Sequence, residues 1–317
     1  VSALLKPAEL AYRGINRLRR LLYRKRILRA QRLPRVVISV GNITIGGAGK
    51  TPTVIAIANE LSARGYRVAV LTRGYGRANG APDGVVTALD AERFGDEPVL
   101  IAASIKGSVI VGSQRYENAI QYLAQNDCDL FILDDGFQHL QLARDVDVVL
   151  ETSGTSWQRE GRSALRDATF VLRRDGQPNT PNEFTAQLSP VAIRERGVIE
   201  PLDTLRGSRV AAFSGLANND QFFETLRALG ASVVATHEFP DHHRYSATDI
   251  AAVLATARSV RASRVVTTEK DAVKLTGDAM MAVAVLVTEM RIEPAQPFFD
   301  ALVARIEESR QRLHPTE

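Results

Sequence analysis

The sequence predicts an α/β fold: a parallel sheet built around a phosphate-binding loop (P-loop) and flanked by helices, with a smaller C-terminal α/β subdomain and an N-terminal amphipathic helix. Three observations predict it. From Arg35 onward, short β-rich runs alternate with helical patterns, as βαβ units require. The stretch VVISVGNITIGGAGKTPT, residues 36–53, joins a continuous apolar run to a glycine cluster and a helical pattern, the order of a buried strand, an anion-wrapping turn and a helix N-terminus. LFILDDGFQH, residues 130–139, ends a second apolar run in paired carboxylates, and open α/β sheets bind ligands at that C-terminal strand edge.

Residues 1–34 form the first segment. Leu4, Ala8, Ala11, Tyr12, Ile15, Leu18, Leu21 and Leu22 recur at three- and four-residue steps, while Arg13, Arg17, Arg20 and Arg24 take other angles; the pattern predicts a basic amphipathic helix. Residues 1–35 hold eleven Lys or Arg against Glu9 alone, a charge of +10 in a chain whose total is +4, so the remainder carries −6. Such a segment suits an anionic membrane surface or a charged, solvated face of a helix packed on its own domain. No nucleic-acid recognition motif accompanies it, so nucleic acid is not an expected partner.

Residues 35–205 read as the P-loop domain. Its nucleotide-binding stretch runs through Gly46, Gly47, Ala48, Gly49, Lys50, Thr51 and Pro52: glycine amides point at phosphates, Lys50 reaches the β and γ oxygens, and the Thr51 hydroxyl ligates Mg²⁺. Thr44 stands where the strict pattern has glycine. A glycine-rich turn with an accidental Lys-Thr is the plain alternative. RVAVLTRG, EPVLIAAS, SVIVGS, DLFILDDG, VDVVLET and ATFVLRR supply the further β-rich runs, with helices between some of them. Asp134 and Asp135 end one of these runs, placed to hold Mg²⁺ directly or through water. GDEP, residues 95–98, sets Asp96 and Glu97 at a strand edge, and TRGYGR, residues 72–77, offers Arg73, Tyr75 and Arg77 on a flexible loop. Trp157, Gln158, Arg159 and Glu160 pass for the start of a surface helix. The stretch from Asp175 to Pro201, with Pro178, Pro181 and Pro190 inside it, reads as a linker or irregular crossover.

Residues 206–317 resume the alternation with RVAAFSGL, a helix over 221–229, SVVATHEF, a helix near 248–259, RVVTTEKD and VAVLVTEM. FPDHHRYS, residues 239–246, contains His242 beside Asp241. No other Cys or His stands at metal-ligand spacing, so zinc is not expected, whereas a histidine beside an acid can orient or tune a base.

The composition, 45% hydrophobic and 24% charged over 317 residues, is that of an ordinary globular protein. Cys128 is the single cysteine, which excludes an internal disulfide and fits a reducing compartment. No apolar run approaches the roughly 20 residues of a spanning helix, and no signal-peptide h-region stands at the N-terminus, so a cytosolic face is expected.

Taken together, GNITIGGAGKTP, TRGYGR, GDEP, DDGFQH, the DHH turn and TTEKDAVKL (residues 267–275) resemble the tetraacyldisaccharide 4'-kinase family, the lipid A 4'-kinases of bacteria with an outer membrane. The resemblance covers nearly the whole chain. It implies a kinase on the cytoplasmic face of the inner membrane that moves the ATP γ-phosphate to the 4'-hydroxyl of a lipid A disaccharide 1-phosphate precursor, with Mg²⁺, and it tips the N-terminal helix towards membrane contact. The matching positions imply that Lys50 and Thr51 serve phosphate and Mg²⁺, that Asp134 and Asp135 form the metal region, and that Asp96 is the general base paired with His242. Arg73, Tyr75, Arg115, Gln138 and His139 match its acceptor- and nucleotide-side surface. Two departures stand out. ETSGTSWQREG is shorter than the family's usual segment and lacks its Leu-Pro part, although SALRDATFV behind it keeps Arg159 and Glu160 aligned with a transition-state cation and a Mg²⁺ ligand. Asn218-Asn219 stands where Asn-Pro is typical. Two other functions fit parts of the pattern: a P-loop ATPase or kinase acting on a soluble metabolite, and a noncatalytic nucleotide-binding membrane adaptor.

Overall fold

The structure, a computed structural model, describes residues 6–44, 47–152 and 157–314. Helix α1 (Lys6–Arg24) precedes β1 (Val36–Asn42), α2 (Lys50–Ala63), β2 (Val68–Thr72), β3 (Gly84–Val85), α3 (Ala91–Phe94), α4 (Asp96–Ser104), β4 (Ser108–Val111), α5 (Arg115–Leu123), β5 (Leu130–Asp134) and β6 (Val146–Glu151). There follow β7 (Phe170–Arg173), β8 (Glu183–Glu195), β9 (Val198–Glu200), β10 (Arg209–Ser214), α6 (Asn219–Ala228), β11 (Ser232–Glu238) and α7 (Ala247–Ser259). The chain closes with β12 (Arg264–Thr268), α8 (Glu269–Ala272), α9 (Asp278–Met281), β13 (Ala284–Glu293) and α10 (Ala295–Leu313).

All the strands belong to one sheet in the order β11-β10-β12-β13-β8-β7-β6-β1-β5-β2-β4-β3, with β9 paired to β8. β1 lies between β5 and β6, parallel to both, and each of its residues is buried. An apolar strand covered on both faces is what its unbroken Val-Val-Ile run demands. Val54, Ile57, Ala58 and Leu61 of α2 pack on one face of this sheet together with Phe298, Phe299, Leu302 and Ile306 of α10. The last helix therefore completes the core of the first half of the chain. The strands after residue 206 build their own cores around Phe222, Phe223 and Leu226 and around Phe213, Ile250 and Val253. The ladder between β8 and β13 is antiparallel and joins the two halves.

Three local expectations need correction. EPVLIAAS is helix α4, not a strand: Pro98 falls in its first turn, where the missing N–H costs nothing, and a short apolar run has no period of its own to separate helix from strand. The proline-rich stretch contains β8, the longest strand. Pro190 is accommodated because the β8–β13 register slips beside it: Thr288 faces Pro190 and Val287 faces Ala192, which leaves Val191 as the unpaired residue of a bulge, and bulges are where a sheet tolerates proline. Residues 157–160 form no helix; Gln158 bridges to Thr44, and a 3₁₀ turn follows at Arg162–Asp167.

Helix α1 has its faces reversed relative to an ordinary surface helix. Leu10, Ile15, Leu18 and Leu21 are 64%, 58%, 56% and 43% exposed, whereas Asn16 is 6% exposed. Its polar side is the one that packs on the protein. No helix among the described residues is long and apolar enough to cross a membrane.

Candidate active site

Gly49 starts the site. It caps α2 in the left-handed region at φ 85°, a conformation glycine adopts without the Cβ penalty. A Cβ there would collide with an Arg174 guanidinium nitrogen and come within 2.7 Å of the Met290 methyl. Lys50 follows at the first helical position; its Nζ donates to Asn42 Oδ1 at 3.4 Å and lies 3.6 Å from Asp135 Oδ1. Thr51 is buried beside it. Gly47, Ala48 and Pro52 hold their expected places around this turn, while Gly46 lies outside the described residues.

The end of β5 brings two carboxylates to the loop. Asp134 is 4% exposed; its Oδ2 accepts from the Thr72 hydroxyl at 2.9 Å, and its Oδ1 has no partner among the described residues. Burial, with the charges of Glu97 and Asp135, pushes its pKa up. Asp135 turns out of the strand at φ 50°. Burial pushes its pKa up too, but Lys50 and Arg159 outweigh that and hold it below the usual carboxylate range. The Arg159 guanidinium meets both of its oxygens at 2.8 and 2.9 Å.

Across the mouth, α4 begins with Asp96, which is 5% exposed. His242, on the turn after β11, reaches it with Nδ1 2.8 Å from Oδ2. Lys270 of α8 lies 3.2 Å from His242 Nε2 and donates to Asp241 at 2.9 Å. A lysine ammonium only donates, so Nε2 is the acceptor and Nδ1–H points at Asp96. Desolvation pushes Asp96 up, yet His242, Lys270 and Lys274 bring its pKa below the usual value, and the bond to Asp96 raises that of His242. The Tyr75 ring stands edge-on to His242 with centroids 5.1 Å apart, and Arg73 is exposed on the same loop.

On the remaining side, Arg115 is buried, its guanidinium 3.0 Å from His139 Nδ1 and donating to the Asp134 carbonyl at 3.3 Å. Burial and nearby arginines push His139 down to about 4, so this imidazole is neutral and accepts from Arg115. Gln138 donates to the Asn42 carbonyl at 2.9 Å and to Glu160 Oε1 at 3.0 Å. Glu160 is 4% exposed and is also held by Arg20 of α1, whose Nε and Nη2 donate to its two oxygens at 2.9 and 2.8 Å.

A family model described as tetraacyldisaccharide-1-P 4'-kinase matches residues 1–307. The chain belongs to that family. It is 40% identical over 330 residues to the tetraacyldisaccharide 4'-kinase of Pelobacter propionicus, covering 95% of this chain and 91% of that protein. With the tetraacyldisaccharide 4'-kinase of Anaeromyxobacter sp. strain K it shares 42% over 314 residues, 87% and 82% of the two chains. The crystal structure of LpxK from Aquifex aeolicus in complex with ATP superposes with a TM-score of 0.80 at 28% identity, over 96% of this chain and 99% of that one.

The geometry also singles out several residues to which sequence reasoning assigns no role. Asn42 fixes Lys50, Lys270 backs His242, Glu97 adds negative charge at Asp134, and Asn16 and Arg20 reach the Arg159–Glu160 segment from α1. In sequence, Lys270 lies within TTEKDAVKL without a stated role. Arg20 is one arginine among many in a basic stretch, and its partner lies 140 residues away. The second Asn of Asn218-Asn219 is also engaged. Its side chain accepts from Leu216 N–H at 2.9 Å and donates to the Phe239 carbonyl at 3.1 Å, bonds that tie the end of β10 to the segment before His242.

Proposed function

We propose that this chain transfers the γ-phosphate of ATP to the 4'-hydroxyl of a tetraacyldisaccharide 1-phosphate lipid A precursor, working with Mg²⁺ at the cytoplasmic face of the bacterial inner membrane. The observation that carries this reading is the meeting, at one sheet edge, of a phosphate loop with a carboxylate–imidazole pair delivered from the other half of the chain. The loop amides and Lys50 hold the transferring group and offset its charge, the main demand of phosphoryl transfer. Asp96 takes the proton of the acceptor hydroxyl as it attacks; His242 orients that carboxylate, and Lys270 fixes the imidazole tautomer. Arg159 adds positive charge beside Lys50, while Arg73, Tyr75, Arg115, Gln138 and His139 line the acceptor and nucleotide sides. Residues 35–205 then bind nucleotide, and residues 206–317 bring His242 to them.

The donor set fits Mg²⁺. Asp134 Oδ1 is a buried carboxylate oxygen without a partner among the described residues, and Thr51 and Asp135 add further hard oxygens. No group of three or more His, Cys, Asp or Glu able to hold a metal occurs among the described residues, and Mg²⁺ shared with a nucleotide uses one or two carboxylates plus phosphate oxygens rather than a protein cage. Bound there, Mg²⁺ would neutralise charge on the transferring phosphate. Glu160 is a candidate ligand through Oε2, which accepts only from Arg20 Nε among the described residues and keeps a free lone pair while Arg20 holds the carboxylate in place.

The outward apolar face of α1, within the +10 segment, supports seating on an anionic bilayer that also holds the acceptor's acyl chains. Incubation of the purified protein with labelled ATP, Mg²⁺ and a monophosphorylated lipid A disaccharide is expected to give a bisphosphorylated product. Consumption of ATP independent of that lipid sinks the acceptor assignment. Leu10→Ser together with Leu18→Ser is expected to release the protein from anionic vesicles in a sedimentation assay, and undiminished binding refutes the membrane reading.

A further inference from the structure

Two chains of contacts run from α1 to Lys50. In the first, Arg20 forks onto Glu160 with its side chain 11% and that of Glu160 5% exposed; Gln138 then bridges Glu160 to the Asn42 backbone, and the Asn42 side chain accepts from Lys50. In the second, Asn16 donates to the Arg159 carbonyl at 3.0 Å, and the Arg159 guanidinium binds Asp135, which faces Lys50. Further contacts fasten the same surfaces: Glu9 accepts from Gln158 N–H at 3.2 Å, Arg20 stacks over Phe137 at 4.3 Å, and Arg20 and Arg24 both pair with Asp167. None of this is needed to present leucines outward. A helix that served only as a lipid anchor would have no use for a buried, bidentate charge pair beside the phosphate loop, since such a pair carries a desolvation cost that must be recovered in geometry.

We propose that Asn16 and Arg20 are positioning residues of the catalytic site. Helix α1 holds the Arg159–Glu160 segment against the phosphate loop, so the element read as lipid-facing on one side is a wall of the site on the other. The Glu160 carboxylate is held by Arg20 and Gln138 alone among the described residues, while the backbone N–H groups of Arg159 and Glu160 donate to the Ile43 carbonyl. A shift of α1 across the surface on which it lies moves this carboxylate and, through Asn16, the backbone of Arg159. The proposal rests on the kinase reading given above and gives α1 a role inside it.

Trp157, the single tryptophan of the chain, reports the contact without any need for turnover, because its ring lies 6.2 Å from that of Tyr12 on α1. Arg20→Met should shift Trp157 emission to the red, raise the Mg²⁺ concentration needed for nucleotide to stabilise the protein against heat, and lower kcat on detergent-dispersed acceptor by roughly 3- to 30-fold, the range for mutations that act through a contact network. Arg20→Lys, which keeps the charge and loses the fork, should fall between Met and wild type. Combining Arg20→Met with Glu160→Gln should cost little more than Glu160→Gln alone, because the two act as one unit. Asn16→Ala serves as the second variant should Arg20→Met fail to fold; it should likewise lower kcat and shift the emission. Wild-type Mg²⁺ midpoint and emission in a folded Arg20→Met protein, or losses in the double variant that multiply in full, overturn the proposal. The emission and Mg²⁺-nucleotide measurements use no lipid acceptor, so they decide the role of α1 even where the acceptor assignment fails.

Discussion

Asp96 and Asp134 are two carboxylates at one sheet edge, buried to the same degree at 5% and 4% exposure, and their proton affinities move in opposite directions. Asp96 faces His242, Lys270 and Lys274 and is held ionised. Asp134 faces Glu97 and Asp135, has a lone hydroxyl donor in Thr72, and is pushed towards its neutral form. Burial raises both; the difference is the balance of neighbouring charge. At Asp96 the positive neighbours prevail. At Asp134 the charges of Glu97 and Asp135 outweigh that of Lys50, an imbalance that the added positive charge of a divalent ion would relieve.

The largest test of this contrast is Asp96→Asn, expected to lower kcat by about 10²- to 10⁴-fold with little change in ATP affinity. His242→Ala should lower it less, and the double variant should be scarcely worse than Asp96→Asn in single-turnover assays, since the pair acts as a unit. Full multiplication of the two losses means the imidazole works independently. Lys50→Ala removes one of the two cations beside Asp135 and should cost roughly 10²- to 10³-fold in transfer, as loss of a charge-stabilising donor does, with an unaltered circular dichroism spectrum because Lys50 is part of no apolar core.

Asp134→Asn addresses the other carboxylate. It should raise the Mg²⁺ requirement for nucleotide binding while stabilising the metal-free protein by about 1 to 3 kcal/mol near pH 8, by removing an under-compensated buried charge. The sign follows from linkage. Asp134 has a folded pKa above its unfolded value of about 3.9, so the native state binds more protons and the stability it contributes is full below that value and is lost as pH rises through the folded pKa. Asp96, with a depressed pKa, contributes stability above about pH 4 that is lost as pH falls through its folded pKa. Thermal melts of the metal-free protein across pH should therefore show a flatter alkaline limb for Asp134→Asn than for wild type; an unchanged limb removes Asp134 from the account. The smallest effect belongs to His242, whose raised pKa gives stability present below about pH 6.5 and lost as pH rises through the folded value. His242→Ala should remove that slope, a change of at most about 1 kcal/mol.

The parts of the site legible in sequence are those that announce themselves locally. Gly49-Lys50-Thr51 follows an apolar run, and Asp134-Asp135 ends another, so strand, loop and charge stand within a few residues of one another. The structure places both where the sheet edge requires. Asp96 is visible in sequence but its setting is not, because Val99–Ala103 has no period of its own and only Pro98 hints at a first helical turn. β8 is hidden by Pro190 within it and Pro178 and Pro181 before it, since only its pairing with β13 shows that Pro190 sits beside a bulge. The Arg20–Glu160 fork is beyond reach for a different reason. Neither residue carries a local signature, and which of several arginines turns inward is decided by the docking of the whole helix. The two faces of α1 are likewise plain in its periodicity, but the periodicity does not say which face the protein takes for itself.

The return of α10 to the first half has a consequence for how the protein is made. Phe298, Phe299, Leu302 and Ile306 close the core that β1 and α2 begin, and burying four such side chains is worth roughly 6 to 12 kcal/mol, comparable to the whole stability of a typical domain at about 5 to 15 kcal/mol. On a ribosome, the half that carries the phosphate loop must therefore wait, its apolar face uncovered, until α10 has been synthesised. During that interval the outward leucines of α1, made before the phosphate loop, are already exposed. Removal of α10 should yield a chain that fails to retain nucleotide even though each residue of the phosphate loop is intact.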